Sequence, residues 1–440
     1  MAYFPPDLTI SPCGALRATL RVASDKSISH RALILAALSQ GVSTIKQLLL
    51  SEDTLSLLNA LSAMGVRIEK HNAQVMVHGA GMYGLQAPKQ ALDMGNSGTA
   101  MRLLAGVLVA QDFSCELIGD ASLSQRPMQR IILPLTTMGA VIVAQNGRPP
   151  LSITGQRHLR AIDYVLPVAS AQVKSCLLLA GLFAQGTSVI RQPLATRDHT
   201  ERLLAAFGYP IHIDGLQVSL CGGGILYAHN ISVPADMSAA AFFIVAASIV
   251  PDSCITLLEV GVNPTRIGVI DILRRMGADI EIMNQRMLNG EPVAEIIVKY
   301  APLTAIDIPS QLIASAIDEF PIIFVAAACA SGVTTLRGAA ELRVKESDRL
   351  HVMAQGLSAL GIKVQEYPDG IRIEGGQFSG GTVASGGDHR VAMAFAIAGL
   401  VAENPVQVQD CSAIATSFPD FYQCLQKLSG ETIVGSENHR

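Results

Sequence analysis

The chain has 440 residues, of which 50% are hydrophobic and only 15% are charged, and its formal net charge is −4. This composition excludes an intrinsically disordered chain, because the apolar surface is ample to offset the chain entropy lost on folding. The negative charge argues against a nucleic-acid partner, and the longest apolar runs fall short of the roughly 18–20 residues that a membrane span needs. We therefore expect a globular protein of more than one domain, with neither nucleic acid nor membrane as a partner.

The cysteines and the N-terminus bear on location and cofactors. The 8 cysteines are scattered without a CxxC pair, and MAYFPPDL at the N-terminus lacks the charged and apolar regions of a signal peptide. We expect a cytoplasmic protein with reduced cysteines, no metal and no cofactor. The sequence has no GxxxxGK[ST] loop, HExxH pair or GxSxG elbow, and its glycine-rich run CGGGIL is predicted to be a hairpin turn.

One pattern recurs along the whole chain: a small polar cluster, an apolar helical run, a β-rich stretch and a second helix. Successive polar clusters lie about 65–80 residues apart. Each cluster opens an apolar run that we predict to be a buried helix. In chain order the clusters are SDKSISH (24–30), MGNSGT (94–99), ASAQ (169–172), ADMS (235–238), SAIDE (315–319) and GGDH (386–389).

The second helix of each repeat ends in a signature of its own. An apolar residue and a glycine precede a β-rich run in SAMGVRIE, TTMGAVIV, AAFGYPIHI, RRMGADIEI and SALGIKVQ, whereas the sixth copy, DFYQCLQKL, is truncated. The glycine fits a helix C-cap, where a positive φ is needed before a strand begins. Six units predict an α/β (α+β) fold of two similar domains with three repeats each, and a break near residues 230–236. Unrelated βα segments, the alternative, would not explain the recurring glycine.

Polar residues at helix starts have an ordinary explanation and a functional one. N-capping accounts for any single start. Several starts gathered at one cleft would instead form an electropositive bowl suited to a phosphorylated small molecule. Each basic residue beside these starts pairs either with a structural carboxylate or with an anionic ligand. These residues are Lys26, Arg31, Arg102, Arg126, Lys174, Arg197, Arg343, Lys345, Arg349 and Arg390.

Two segments carry groups suited to acid–base chemistry. SAIDEFPIIF puts Asp318 and Glu319 at the opening of an apolar helix. LRVKESDRLHVM concentrates charges of both signs, and Glu346 and Arg349 are i,i+3 neighbours if this segment is helical. The alternative for the second segment is a solvated, charged helix start.

The motifs occur along the chain in a specific order: SDKSISHRALILAAL, GNSGTAMRLLAG, SLSQRPMQRIILPL, SAQVKSCLLLAGL, TRDHTERLL, IDEFPI, LRVKESDRL, GGDHRVAMAFAIAG and SFPDFY. In this order, from about Ala23 to Phe421, the sequence resembles the 3-phosphoshikimate 1-carboxyvinyltransferase (EPSP synthase) family. The resemblance implies transfer of the enolpyruvyl group of phosphoenolpyruvate to the 5-hydroxyl of shikimate 3-phosphate. Phosphate leaves from a tetrahedral intermediate, and the product serves the shikimate pathway to chorismate and aromatic amino acids.

The resemblance also implies an architecture. Each of the two domains consists of three βαβαββ-type units around buried parallel helices, and the active site lies in the cleft between the domains. Residues 1–23 and 237–440 would form domain 1, and residues 24–236 would form domain 2. The substrates are small molecules, and we expect a monomer.

The family's motifs assign substrate contacts by position. Lys26 would reach both substrates. The residues implied for shikimate 3-phosphate are Lys26, Ser27, Arg31, Ser170, Gln172, Arg197, Asp318 and Lys345. Those implied for phosphoenolpyruvate are Lys26, Asn96, Gly98, Arg126, Gln172, Arg349 and Arg390.

The resemblance implies catalytic roles for three of these positions. Asp318 would be the general base for the 5-hydroxyl, and Glu346 would donate the proton to the methylene carbon of phosphoenolpyruvate, with Lys26 as the third catalytic group. Some positions depart from other members. Glu341 and Thr416 stand where some members have Asn and Lys, so the substrate contacts at these two positions are open.

Two other functions compete with this reading. The related transferase that acts on UDP-N-acetylglucosamine usually carries a loop cysteine, but Cys115 in FSCELIG is predicted to lie in a strand, and the RPM, SAQVKS and DEFP strings favour shikimate 3-phosphate. A non-catalytic scaffold would give no reason for acids and arginines at helix starts.

Overall fold

The computed structural model describes residues 5–71 and 74–429, together with the backbone of residues 434–435. The chain divides into two compact units. Unit 1 combines the N-terminal residues up to Asp25 with Pro234–Met287 and the part of the chain from Pro292 onwards. Unit 2 comprises Lys26–Val233 together with Leu288–Glu291.

The helices follow the predicted repeat. In the described residues they are α1 (Lys26–Leu38), α2 (Glu52–Ala63), α3 (Gly98–Leu108), α4 (Gln129–Thr137), α5 (Ala171–Gly181), α6 (His199–Ala206), α7 (Met237–Ile249), α8 (Gly268–Arg275), α9 (Ile313–Ala316), α10 (Phe320–Cys329), α11 (Arg349–Ala359), α12 (His389–Gly399) and α13 (Phe421–Ser429). Short 3₁₀ turns span Leu123–Gln125, Ser310–Leu312, Ala340–Val344 and Cys411–Thr416. Within these ranges no helix has both the length and the apolar character needed to cross a membrane.

The strands are short and are distributed along the whole described chain. They are β1 (Leu8–Ile10), β2 (Arg17–Leu20), β3 (Val42–Lys46), β4 (Arg67–His71), β5 (Gln74–His78), β6 (Leu92–Asp93), β7 (Ser114–Ile118), β8 (Val141–Gln145), β9 (Arg148–Thr154), β10 (Asp163–Val165), β11 (Thr187–Arg191), β12 (His212–Asp214), β13 (Gln217–Cys221), β14 (Ile231–Ser232), β15 (Cys254–Gly261), β16 (Asp279–Leu288), β17 (Glu291–Lys299), β18 (Val333–Leu336), β19 (Lys363–Tyr367), β20 (Gly370–Glu374), β21 (Gly381–Ala384), β22 (Val406–Gln409) and β23 (Val434–Gly435).

The inner helices form the centre of each unit. They are α1, α3 and α5 in unit 2 and α7, α10 and α12 in unit 1, and they are apolar on nearly every face. All 13 residues of α7 are buried, as a helix without a polar face requires. Each inner helix begins within or directly after one of the six polar clusters, so the predicted buried helices are confirmed.

The outer helices α2, α4, α6, α8 and α11 end at the predicted glycines. The glycines that follow them have φ values between +77° and +98°, a region that residues with a Cβ rarely adopt. The chain turns there and enters the next strand. The glycines are Gly65, Gly139, Gly208, Gly277 and Gly361.

The sheets repeat one strand pattern. In unit 2 their orders are β14-β3-β5-β4, β6-β7-β9-β8 and β10-β11-β13-β12, with the first pair parallel and the later pairs antiparallel. Unit 1 has the orders β16-β17-β15-β2, β18-β20-β19 and β21-β22-β1-β23. The second and third repeats of unit 2 therefore each read βαβαββ along the chain. The predicted mixed α/β fold is confirmed.

The first strands of two repeats pair with strands that are far away in the sequence. Strand β2 precedes α1 but pairs in parallel with β15 of unit 1, and β14 precedes α7 but pairs in parallel with β3 of unit 2. The prediction for CGGGIL is wrong: this run is not a hairpin turn. It leads from β13 to Tyr227, whose backbone bridges in parallel to Gln40, because the next strand lies in another sheet.

Candidate active site

The start of α1 brings Lys26 to a buried carboxylate. The Nζ atom of Lys26 donates to Oδ2 of Asp53, in the first turn of α2, at 2.8 Å. Ser27 follows in the same turn and is half-buried. The sequence prediction assigned no role to Asp53. Its position in the first turn of a helix that packs on a core poor in charge could have marked it as a functional candidate.

His30 links this helix start to the next one. Its Nδ1 lies 2.7 Å from the carbonyl oxygen of Lys26, and its Nε2 lies 3.1 Å from Oγ of Ser97. Burial, partly offset by Asp53, lowers the pKa of His30 to about 4. The ring is therefore neutral at pH 7. The carbonyl accepts from Nδ1–H, so Nε2 accepts from the Ser97 hydroxyl, whose oxygen in turn caps α3 by accepting from Ala100 N–H.

Arg31 is buried and donates three hydrogen bonds to residues of unit 2. Its Nε donates to Oγ1 of Thr200 at 2.7 Å, and its Nη2 donates to Oγ of Ser175 at 2.8 Å. Its Nη1 donates to the carbonyl oxygen of Ser27 at 2.9 Å. These three acceptors are neutral oxygen atoms, so none of these three hydrogen bonds neutralises the guanidinium.

The start of α3 gathers three of the predicted contacts for phosphoenolpyruvate. Nη2 of Arg126 donates to Oδ1 of Asn96 at 2.5 Å, and Nδ2 of Asn96 donates to Oδ2 of Asp120 at 2.7 Å. Gly98 opens the helix, and a Cβ there would lie 2.9 Å from Nη1 of Arg102 and 3.2 Å from Nη1 of Arg126. The glycine therefore leaves room for two guanidinium groups.

Gln172 joins this arrangement from α5. Its Oε1 accepts from Nη1 of Arg102 at 2.6 Å, and its Nε2 donates to Oγ1 of Thr99 at 2.9 Å. Ser170 is the N-cap of α5, since its Oγ accepts from Val173 N–H at 3.4 Å. Arg197 lies in the loop before α6. We use the name basic group for the following charged side chains of unit 2 only: Lys26, Arg31, Arg102, Arg126, Lys174 and Arg197, with Asp53, Asp120 and Glu201.

In unit 1, Arg349 holds three carboxylates. Its Nε donates to Oδ2 of Asp388 at 2.8 Å, its Nη2 donates to Oε2 of Glu346 at 2.7 Å, and its Nη1 donates to Oδ1 of Asp318 at 3.4 Å. Nζ of Lys345 lies 3.4 Å from the same Asp318 oxygen. Glu346 and Arg349 form an i,i+3 ion pair although α11 begins only at Arg349, so the helical segment on which the i,i+3 expectation depended does not include Glu346.

The charges of this cluster stabilise one another. Burial by itself lowers the pKa of Arg349, but Asp388, Glu346 and Asp318 outweigh it and raise that pKa above its usual value. Burial would raise the pKa of Asp388, but the Arg349 guanidinium outweighs burial and lowers it. Arg349 therefore stays charged and fixes two half-buried carboxylates, Asp318 and Glu346, on one guanidinium.

Arg390 belongs to a neighbouring network that the sequence prediction missed. Its Nη1 lies 3.8 Å from Oε1 of Glu319, which also accepts from the Ser238 hydroxyl. Buried Arg266 donates to Asp25 at 2.9 Å and to Asp236 at 2.8 Å. Arg266 follows no helix-start pattern in the sequence, so no local signal marked it.

Asp388 connects the two networks, because its Oδ1 also accepts from the backbone N–H of Arg390 at 2.9 Å. It is the N-cap of α12, and capping was the ordinary explanation for the polar starts. The aspartate of GGDH therefore both caps a helix and orients Arg349. We call these charged side chains of unit 1 the acidic group: Arg266, Lys345, Arg349 and Arg390, with Asp25, Asp236, Asp318, Glu319, Glu346 and Asp388.

The basic group and the acidic group are suited to two different tasks, anion binding and proton transfer. The basic group offers cations and helix N-termini to phosphate and carboxylate, and the acidic group offers paired carboxylates for proton transfer. Among the described residues, no group of three or more His, Cys, Asp and Glu side chains is arranged to hold a metal ion. Cys115 lies in β7 as predicted, and burial raises its pKa to about 11, so it is not a reactive thiolate at neutral pH.

Together the repeated α/β fold and these two groups are those of a transferase that acts on phosphorylated anions. Comparison with known proteins identifies the class further. The family model of EPSP synthase (3-phosphoshikimate 1-carboxyvinyltransferase) matches residues 10–425. The chain is 56% identical over 417 residues to the 3-phosphoshikimate 1-carboxyvinyltransferase of Alkalilimnicola ehrlichii, covering 94% of each chain. It is 53% identical over 422 residues to that of Methylococcus capsulatus, covering 96% of this chain and 97% of the relative.

A solved structure agrees with the sequence matches. The EPSP synthase from Acinetobacter baumannii superposes with a TM-score of 0.88 and 49% sequence identity, covering 98% of this chain and 100% of that one. The chain belongs to the EPSP synthase family, so it is an enzyme, and the predicted resemblance is confirmed. Enolpyruvyl transfer in the shikimate pathway is the function that this membership supports, and transfer to UDP-N-acetylglucosamine is not favoured.

Proposed function

We propose that this chain transfers the enolpyruvyl group of phosphoenolpyruvate to the 5-hydroxyl of shikimate 3-phosphate, using residues of both groups. The 5-hydroxyl oxygen forms a bond to C2 of phosphoenolpyruvate while C3 gains a proton. Phosphate then leaves C2, and C3 loses a proton to restore the double bond. The products are 5-enolpyruvylshikimate 3-phosphate and inorganic phosphate.

Both substrates are polyanions, so their adjacent binding requires several cations. In this proposal Lys26, Arg126 and Arg390 bind phosphoenolpyruvate, with Asn96, Gly98, Gln172 and Arg349 completing its site. The contacts with shikimate 3-phosphate come from Lys26, Ser27, Arg31, Ser170, Gln172, Arg197, Asp318 and Lys345. The hydroxyl groups of Thr200 and Ser175, which orient the guanidinium of Arg31, support its role in anion binding.

The acid–base roles fall to the acidic group and to Lys26. Asp318 accepts the proton of the 5-hydroxyl, and Glu346 donates a proton to C3. A single observation carries this assignment: Asp318 and Glu346 are both hydrogen-bonded to Arg349, at 3.4 Å and 2.7 Å, while both remain half-buried. Positioned acids and bases of this kind each contribute about 10²–10⁴-fold to the rate.

The test is phosphate release from the purified protein with both substrates and with each omitted in turn. Release that requires both substrates, and that is lost in Asp318→Asn and in Glu346→Gln, is the expected result. No release although both ligands bind would contradict the catalytic proposal and leave a binding protein. Release with UDP-N-acetylglucosamine in place of shikimate 3-phosphate would identify the alternative transferase.

The remaining proposals concern organisation and location. We propose a cytoplasmic monomer that binds no nucleic acid and consists of two domains, 1–23 with 237–440 and 24–236. Light scattering after gel filtration tests the monomer. Expression of residues 24–236 alone tests the domains, since a domain with its own apolar core should fold by itself.

A further inference from the structure

A buried ion pair in unit 2 lies behind the residues proposed to bind shikimate 3-phosphate. Nζ of Lys174, in α5, is 2.6 Å from Oε1 of Glu201, in α6, and the two side chains are 0% and 1% exposed. The other oxygen of Glu201 is buried and has no hydrogen-bond partner in the part of the chain that the structure describes. Lys174 is therefore the group that holds this carboxylate in place.

Stability does not explain the pair. Burying two charges costs free energy that their attraction seldom exceeds, and apolar residues of similar volume are often as stable or more so. The chain is poor in charge, at 15%, and its inner helices are otherwise filled with apolar side chains. A buried pair in such a core is better explained by the geometry that it imposes.

That geometry concerns the loop that carries Arg197. Nζ of Lys174 also donates to the carbonyl oxygen of Thr196 at 3.3 Å, one residue before Arg197. The loop is held from its other side by Gln192, whose Oε1 accepts from the backbone N–H and the hydroxyl of Thr196 at 3.2 Å and 2.7 Å. Both the backbone N–H and the backbone carbonyl of Thr196 are therefore hydrogen-bonded, which fixes the backbone directly before Arg197.

The same pair braces the partners of Arg31. Thr200 precedes Glu201 in α6, and it accepts from Arg31 Nε while donating to Ser175 Oγ at 2.7 Å. Ser175 follows Lys174 in α5. The ion pair therefore locks together the two helices whose hydroxyl groups orient Arg31.

We propose that Lys174 and Glu201 are positioning residues for shikimate 3-phosphate, which fix Arg197 and Arg31 at the spacing that this substrate requires. The proposal rests on the proposed function. It assigns the pair to one substrate, because Lys174 bonds to Thr196, the neighbour of Arg197, whereas Arg126 bonds to Asn96 and Asn96 bonds to Asp120.

The experiment uses the double variant Lys174→Met/Glu201→Leu, which removes both charges at similar volume. We expect KM for shikimate 3-phosphate to rise about tenfold or more, with KM for phosphoenolpyruvate and kcat within about twofold of the wild type. The matched control is Lys363→Met/Glu374→Leu, at an ion pair whose side chains are 80% and 40% exposed, and it should change none of these values. The conservative variant Lys174→Arg/Glu201→Asp keeps a pair of opposite charges and should restore most of the affinity.

A second variant protects the test against misfolding. Gln192→Leu leaves the ion pair intact but frees Thr196, so it should raise KM for shikimate 3-phosphate in the same selective way. Wild-type affinity for shikimate 3-phosphate in both variants would overturn the proposal. So would an equal rise in KM for both substrates, because it would show a general structural role.

Calorimetric binding of shikimate 3-phosphate separates this proposal from the proposed function. If the wild type binds shikimate 3-phosphate but turns nothing over, the proposed function fails, and weaker binding by the double variant still supports the positioning role. If the wild type does not bind shikimate 3-phosphate, both proposals fail.

Discussion

The basic group of unit 2 and the acidic group of unit 1 belong to units with the same repeated fold, but their charge balances are opposite. The basic group has six cationic side chains and three carboxylates, whereas the acidic group has four cationic side chains and six carboxylates. Members of both groups lie in or near the first turns of helices, both inner ones such as α1 and α12 and outer ones such as α2 and α11. The framework therefore does not decide the chemistry of a unit; the first helical turns and the adjoining loops do.

The difference also separates two tasks that interfere with each other. Phosphate and carboxylate ligands need cations that are held in fixed positions, as hydroxyl and carbonyl oxygens hold Arg31. Proton transfer needs carboxylates that are held in fixed positions, as Arg349 holds Asp318 and Glu346. A further carboxylate beside these cations would compete with the substrates for them, as Asp53 already does for Lys26.

The largest expected effect comes from the acidic group. Asp318→Asn keeps the size of the side chain but removes the proton acceptor, so kcat should fall about 10²–10⁴-fold. Phosphate release at saturating concentrations of both substrates measures this. Glu374→Gln, at the exposed pair with Lys363, is the control. Wild-type kcat in Asp318→Asn would break the assignment of proton transfer to unit 1.

In unit 2, His30 is expected to make the free energy of unfolding depend on pH. The pKa of His30 is about 4 in the folded protein and about 6.5 in an unfolded chain. The unfolded state therefore binds more protons between these values, and stability falls as the pH drops from 6.5 towards 4. The full shift corresponds to about 3 kcal/mol of unfolding free energy.

Urea unfolding at pH 7 and pH 4.5 measures this contribution. His30→Gln removes the titrating group, so its unfolding free energy should depend less on pH than that of the wild type. His71→Gln changes an exposed histidine and serves as the control. If the unfolding free energy of His30→Gln depended on pH as that of the wild type does, protonation of His30 would not be the cause of that dependence.

A smaller effect, limited to one substrate, tests the role of the basic group in binding phosphoenolpyruvate. Arg126→Lys keeps the charge but loses the forked donors, so KM for phosphoenolpyruvate should rise about 10–100-fold, the range that one to two charged hydrogen bonds provide. KM for shikimate 3-phosphate should stay near its wild-type value. Arg157→Lys, at an exposed arginine paired with Asp112, is the control. Equal changes for both substrates would contradict the assignment of Arg126 to phosphoenolpyruvate.

The smallest effect is expected at Gly98. In Gly98→Ala the new Cβ would press on the ends of Arg102 and Arg126, which are flexible and can shift at low cost. KM for phosphoenolpyruvate should therefore rise only about twofold to fivefold, with little change in stability. Gly14→Ala, where a Cβ would meet nothing within 4 Å, is the control. An unchanged KM would mean that the two guanidinium groups need no space at this helix start.

The sequence by itself determined the repeated framework. The polar clusters and the C-cap glycines are local signals, because N-caps and positive φ values are set by neighbouring residues along the chain. The inner helices could be recognised as buried because they are apolar over their whole length. Motif order determined the family, and it also identified the segments that contain Asp318, Glu346 and Arg349.

Only the tertiary structure decided which charges pair. Arg266 and Asp25 are 241 positions apart, and Lys174 of α5 meets Glu201 of α6 only in the folded chain. Each cation had several possible partners, and the choice depends on which side chains the packed helices desolvate together. The exchange of β2 and β14 has the same origin, since strand pairing over such distances is set by sheet geometry rather than by local sequence.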